Sequence, residues 1–248
     1  MFFVYLSLVL SYIVPQNSYL LESVKNKPKV LFFTGGNSLM PNDIYSDFVS
    51  KLKDKYELIN IKNGMTQKNV VMEQLFEIAG EEEIIPIGHS SGCTTLLNYC
   101  SKLKNVNKCI LLDPVDNNIK EDSLKINFNS ILQINAEKSY KWISDDFNIL
   151  NPSSMIPQVP FIPAFRMDIN KYIKLNDINV TKINVKDYGH CDILDTSFSN
   201  LMHSTIAKGN NDRDSINEYK KLLVDLIDTY IKNQDLQELQ TDIEYQII

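Results

Sequence analysis

Residues 83–100 read EIIPIGHSSGCTTLLNYC. A short apolar run, Ile84-Ile85-Pro86-Ile87, leads into Gly88-His89-Ser90-Ser91-Gly92, and an amphipathic helical pattern begins at once. An apolar strand, Gly-x-Ser-x-Gly and a helix together read as a nucleophile elbow. A serine hydroxyl is a weak nucleophile near neutral pH, so it must stand where a histidine can take its proton. A sharp strand-to-helix turn provides that exposure. Its crowding demands small residues two places either side of Ser90, hence Gly88 and Gly92. The same turn aims the backbone N–H of Ser91 at the place where an oxyanion would form. A chance match in a loop would lack the strand before it and the helix after it.

Outward from this stretch the same alternation repeats. Lys29–Phe33 reads as a buried strand followed by Thr34-Gly35-Gly36-Asn37, and residues 42–56 as a helix. A strand over 57–61, a helix over 68–79 and the elbow strand 83–88 come next. After the elbow helix, the apolar run 108–112 ends in Asp113-Pro114-Val115-Asp116. Residues 130–136 and 179–185 read as two more strands, and 212–233 as a closing helix. Short apolar strands alternating with amphipathic helices predict an α/β fold, a mostly parallel sheet with helices on both faces. With the elbow, that is the pattern of an α/β-hydrolase fold.

A chain of 248 residues, 44% apolar and 23% charged, is one α/β domain with a full core. The net charge is −6, and Arg166 and Arg213 are the only arginines. No basic cluster interleaved with aromatics occurs, which excludes nucleic acid as the expected partner. The four cysteines, Cys93, Cys100, Cys109 and Cys191, form no C-x-x-C pair and no zinc-like spacing with histidine. Cys93 and Cys100 would lie roughly 10 Å apart along a helix, too far to bridge. All four read as small buried hydrophobes. The opening MFFVYLSLVLSYIV carries no charge and ends at Pro15, so residues 1–18 read as a signal-peptide-like or anchor segment ahead of a domain over 19–248. Such a segment implies a secretory or plastid-type route, or peripheral attachment to a membrane.

Two stretches break the alternation, 117–129 and about 140–178. The second is proline-broken and apolar, and a long insertion of this kind inside a compact domain is usually functional. Met155, Phe161 and Phe165 are its candidate pocket residues, for a lipophilic ester substrate.

In this fold the acid follows the serine and the histidine comes last. Of the three histidines, His89 precedes any such acid and His203 sits in a helical pattern, leaving His190 in Asp187-Tyr188-Gly189-His190, just past a strand. Asp113, at the end of a strand, is the first choice of acid, with Asp116, Glu137, Asp145 and Asp146 as alternatives. Gly35 or Gly36 would supply the second oxyanion donor beside Ser91. No metal or organic cofactor is needed for such chemistry.

The segment Val185-Lys186-Asp187-Tyr188-Gly189-His190-Cys191-Asp192-Ile193-Leu194-Asp195 resembles the histidine segment of plant and algal chlorophyllases, which reads close to KDYGHMDxLDD. Leu111-Leu112-Asp113-Pro114-Val115-Asp116 resembles their acid segment, and Val30–Gly35 with Tyr45-Ser46 their oxyanion strand and the helix after it. The resemblance covers most of 29–200 and is weakest over 117–178. It implies the triad Ser90, Asp113, His190, an N-terminally shortened sheet, and cleavage of chlorophyll to chlorophyllide and phytol. The chain departs from the family in having Thr34-Gly35 where His-Gly is usual, and Ser91 and Cys93 in place of the Arg and Gly of GHSRGG. A lipase or general carboxylesterase is the alternative reading, and a non-catalytic binding protein on the same fold the third.

Overall fold

The computed structural model describes residues 27–35, 40–60, 83–100, 103–115, 128–140, 167, 169, 178–205 and 209–248. The expected helix over 68–79, the leader 1–18, most of the 140–178 insertion and any shortening of the sheet at its N-terminus lie outside these residues.

Among the described residues, seven strands form one sheet: β1 (Lys29–Phe33), β2 (Glu57–Asn60), β3 (Ile84–His89), β4 (Lys108–Leu112), β5 (Ser130–Ala136), β6 (Asn179–Val185) and β7 (Tyr245–Ile247). Their spatial order is β2-β1-β3-β4-β5-β6-β7. The first six are parallel, and β7 closes the edge antiparallel to β6, with Ile183 opposite Ile247. The sequence reading missed β7, since three residues carry too little alternation to register as a strand.

Successive residues of a strand face opposite sides, and here both sides are dry. Val30, Phe32, Ile110 and Leu112 point into one core, which α1 (Ser46–Lys55) and α4 (Arg213–Ile231) cover with Phe48, Leu52, Leu222 and Leu226. Leu31, Phe33, Cys109 and Leu111 point into the other, under α2 (Gly92–Cys100) with Leu96 and Leu97. The remaining helix, α3 (Thr196–Thr205), follows the β6 loop. A mostly parallel sheet covered on both faces, with the elbow at the end of a central strand, is the α/β-hydrolase fold.

Helix ends are secured from elsewhere in the chain. The Asp195 carboxylate accepts from Ser46 Oγ (2.5 Å) and the Asp47 N–H (3.0 Å) at the start of α1. Asp212 caps α4 by accepting from the Ser215 N–H. Lys108 Nζ donates to the carbonyls of Tyr230 and Ile231 at the far end of α4. The fully buried Lys220 of α4 reaches Asp47 of α1 at 3.0 Å.

From β1 the chain turns to β2 on one side and then returns past β1 to β3 on the other. That reversal falls between β1 and β3, at whose carboxyl ends open parallel sheets place their sites. All four cysteines are free and buried, as their spacing implied. No helix among the described residues is long and apolar enough to cross a membrane.

At Gly92 a Cβ would lie 2.3 Å from the Thr34 carbonyl oxygen and 2.5 Å from that of Phe33. Both are backbone atoms of β1 and its continuation, so relief requires moving a strand. Gly92→Ala is expected to lower unfolding free energy by about 3 kcal/mol, measured by urea denaturation. A loss under about 1 kcal/mol would mean that β1 and α2 separate easily.

Candidate active site

Adjacent strand ends supply the first two groups. His89 is in register with Leu112, so Ser90 and Asp113 are the next residues of β3 and β4. Both leave the strand in the left-handed region, at φ 58° and φ 43°, uncommon for residues with a Cβ. Each is held there by the neighbouring strand. The Ser90 N–H donates to the Leu112 carbonyl (3.0 Å) and the Asp113 N–H to that of Ile134 (2.6 Å). The Ser90 carbonyl in turn accepts from the N–H groups of Cys93 and Val115.

His190 enters from the loop after β6. Its Nε2 lies 2.8 Å from Ser90 Oγ, and its Nδ1 lies 2.5 Å from Asp113 Oδ2. The other Asp113 oxygen accepts the Ala136 N–H at 3.1 Å. A carboxylate can only accept, so Asp113 holds the proton on Nδ1 and leaves the Nε2 lone pair facing the serine hydroxyl. Asp113 and His190 are buried while Ser90 is half-buried. The arrangement can take a proton from Ser90 and hold the resulting imidazolium against an ion partner.

The loop carrying His190 is built by its own sequence. Asp187 is left-handed at φ 64°, and its N–H donates to Glu137 Oε2 at 3.3 Å. The Tyr188 ring stacks on Tyr219 of α4 at 4.3 Å. The fully buried Asp192 accepts the N–H groups of Gly189 (2.7 Å) and Asn210 (2.9 Å). Cys191 is buried, and burial pushes its thiol up to about 12, which leaves it unreactive beside His190.

The sequence-predicted residues fall into place unevenly. Ser90, Asp113 and His190 come together, and Ser91 is buried at the entry to α2. Gly35 sits against the nucleophile, where a Cβ would meet Ser90 Cβ at 3.3 Å and Tyr45 Oη at 3.0 Å. Its N–H donates to Tyr45 Oη at 3.0 Å. Glu137, an alternative acid, binds the Asp187 backbone, while Asp113 occupies Nδ1 of His190. His203 is on α3. Gly36, Asp116, Asp145, Asp146, Met155, Phe161 and Phe165 lie outside the described residues.

Two residues at the site were not singled out from sequence. Tyr45 Oη lies 2.9 Å from His89 Nδ1, and His89 Nε2 lies 3.1 Å from the His190 carbonyl oxygen. Both are buried. In the sequence Tyr45 stands out only within the segment Tyr45-Ser46, and His89 only as a candidate base.

No family profile matches this sequence, and no curated protein does. Among solved structures, the chain is similar to an esterase domain from Rhodothermus marinus, with 11% identity over 73% of this chain and 84% of that one and a TM-score of 0.44. It is similar to a protein of unknown function from Agrobacterium tumefaciens described as an α/β-hydrolase, with 12% identity, 83% and 86% coverage and a TM-score of 0.49. A hydrolase from Pectobacterium atrosepticum shares 11% identity over 79% and 92%, with a TM-score of 0.40.

Burial, and secondarily the neighbouring His190, push the His89 pKa down from 6.5 to about 3. The folded state thus binds one proton fewer than the unfolded state between those values, so stability rises with pH there. The contribution is fully present above pH 6.5 and declines as pH falls toward 3. On acidification from neutrality to pH ~5, this group should remove about 2 kcal/mol of stability. Urea denaturation of the native protein and of His89→Gln at both pH values checks this. The variant should lack that part of the pH dependence.

Proposed function

We propose that the chain is a serine hydrolase of carboxylic esters. The contiguous contact from Ser90 Oγ through the His190 ring to Asp113 carries this reading. Ser90 attacks the ester carbonyl as His190 Nε2 takes its proton, giving a tetrahedral oxyanion and an imidazolium held by Asp113. Collapse expels the alcohol, which receives that proton and leaves an acyl-enzyme. Water then attacks with His190 as base again, releasing the acid and restoring Ser90. In this scheme the Ser91 N–H at the start of α2 faces the oxyanion. The second donor belongs to the loop after β1 at Gly36, while Gly35 lets the substrate carbonyl approach Ser90 closely.

The finer reading is a chlorophyllase-like esterase, cleaving chlorophyll to chlorophyllide and phytol. It is supported by the paired segments Asp113-Pro114-Val115 and Asp187-Tyr188-Gly189-His190. A lipase or general carboxylesterase is the second reading, favoured by the departures at Thr34, Ser91 and Cys93. Within the first reading, the apolar insertion with Met155, Phe161 and Phe165 receives the long alcohol. Burial is worth about 0.8 kcal/mol per methylene, so long-chain esters should be preferred.

A fluorophosphonate probe should label Ser90 in the native protein and not in Ser90→Ala. Ser90→Ala should lose several orders of magnitude of kcat and stay folded by circular dichroism. Asp113→Asn should cost roughly 10³–10⁴ in kcat, because an amide can stabilise the wrong tautomer of His190. A folded, active Ser90→Ala would remove Ser90 as the nucleophile, and a native protein that takes no label and hydrolyses no ester would leave the non-catalytic binding protein. Chromatography of products from chlorophyll, p-nitrophenyl esters of graded length and a triglyceride then separates the esterases. Turnover of short esters without chlorophyllide would assign the general carboxylesterase.

A further inference from the structure

The polar chain Gly35–Tyr45–His89–His190 has only one arrangement of protons. The His190 carbonyl oxygen can only accept, so His89 carries its proton on Nε2 and donates it there at 3.1 Å. His89 is buried and neutral, so its Nδ1 is a bare acceptor, and the bond at 2.9 Å is donated by the Tyr45 hydroxyl. The Tyr45 oxygen then accepts the Gly35 N–H. Every link is satisfied in one direction only. The chain joins the loop after β1, the last residue of the nucleophile strand and the backbone of the histidine loop. The ring of His89 also lies beside that of His190, with centroids 4.8 Å apart.

We propose that His89, with its tautomer fixed by the His190 carbonyl and supported by Tyr45, is a positioning residue that holds the His190 loop so that Nε2 meets Ser90 Oγ. This rests on the reading of Ser90 and His190 as nucleophile and base. His89 touches neither substrate nor the reacting atoms. Ser90 is fixed by the elbow and Asp113 by β5, but His190 stands five residues beyond the end of β6. It is the member of the set most dependent on a loop. The bond from His89 ties that loop directly to the residue preceding the nucleophile. Gln can present a side-chain N–H in place of Nε2–H, whereas Leu fills the space without a donor. Removing Tyr45 Oη frees the proton to move to Nδ1, which would turn the Nε2 lone pair toward the His190 carbonyl oxygen.

The test measures the rate of Ser90 phosphonylation and ester-hydrolysis kinetics for the native protein, His89→Leu, His89→Gln and Tyr45→Phe, each with its Tm. NMR of histidine ring nitrogens and of the His190 Nδ1 proton accompanies the kinetics. His89→Leu should lower kcat and the phosphonylation rate roughly 10- to 100-fold with KM unchanged, the scale of a small misplacement at a reacting centre. It should also broaden the His190 Nδ1 proton resonance. His89→Gln should restore most of the rate and the resonance even where its Tm matches that of His89→Leu, and Tyr45→Phe should fall between with a mixed tautomer at residue 89. Equal rates in all four proteins, or losses that track Tm alone, would overturn the proposal. If the native protein takes no label and hydrolyses no ester, the hydrolase reading falls. The His190 resonance then still decides the positioning role, which fails if that signal is the same in His89→Leu and the native protein.

Discussion

The site depends on a steric constraint: a serine with a Cβ held at φ 58° at the end of a parallel strand. Such a conformation costs of order 1–3 kcal/mol and persists only where the surroundings over-determine it. Here they do. Gly88 allows Cys93 to close over the turn, with Cα 2.9 Å from where a Cβ would stand, and Gly92 lets α2 start against the end of β1. The Ser90 N–H and carbonyl are both tied to β4 and its continuation. Asp113 repeats the device one strand away at φ 43°, and Asp187 again at φ 64° after β6. Among the described residues, three of the four non-glycine residues with positive φ therefore follow the carboxyl ends of β3, β4 and β6. The fourth, Asn233, follows α4.

The strand–helix alternation was plain in the sequence because a sheet buried on both faces demands apolar runs such as KVLFF and KCILL. Chain order and strand ends singled out Ser90, Asp113 and His190. The interactions that hold them were hidden, because they join residues far apart in the chain. His89 and Tyr45 are 44 positions apart, and nothing in either local pattern announces their pairing. Glu137 and Asp113 both follow strands and both carry carboxylates. Only the register of β4 against β5 gives Nδ1 of His190 to one of them. β7 escaped notice because an edge strand of three residues depends on pairing with β6 rather than on its own periodicity.

The stretch from Asp187 to Asp195 shows how densely one loop can be specified. Its tyrosine packs on α4, Asp192 closes the turn around Gly189 and reaches Asn210, and Asp195 caps α1. Two of its acidic side chains, Asp192 and Asp195, are thus engaged by the scaffold. The histidine is left with Asp113 on one nitrogen and Ser90 on the other.

The histidine loop springs from β6, the outermost long strand, whose residues are mostly half-exposed while β3 and β4 are buried. Its outer side is held by the short β7, by the Lys186 N–H on the Glu244 carbonyl and by the Ile248 N–H on that of Lys182. Edge strands open at lower free energy than central ones, so amide exchange should be fastest where the base is anchored and slowest where the nucleophile is. The two halves of the site therefore belong to different cooperative units. On warming, Ser90 would remain on an intact sheet after His190 had already left it, and the contact between the two would be lost while the circular dichroism still reported a folded protein. The working range of this molecule is set at its rim and not in its core.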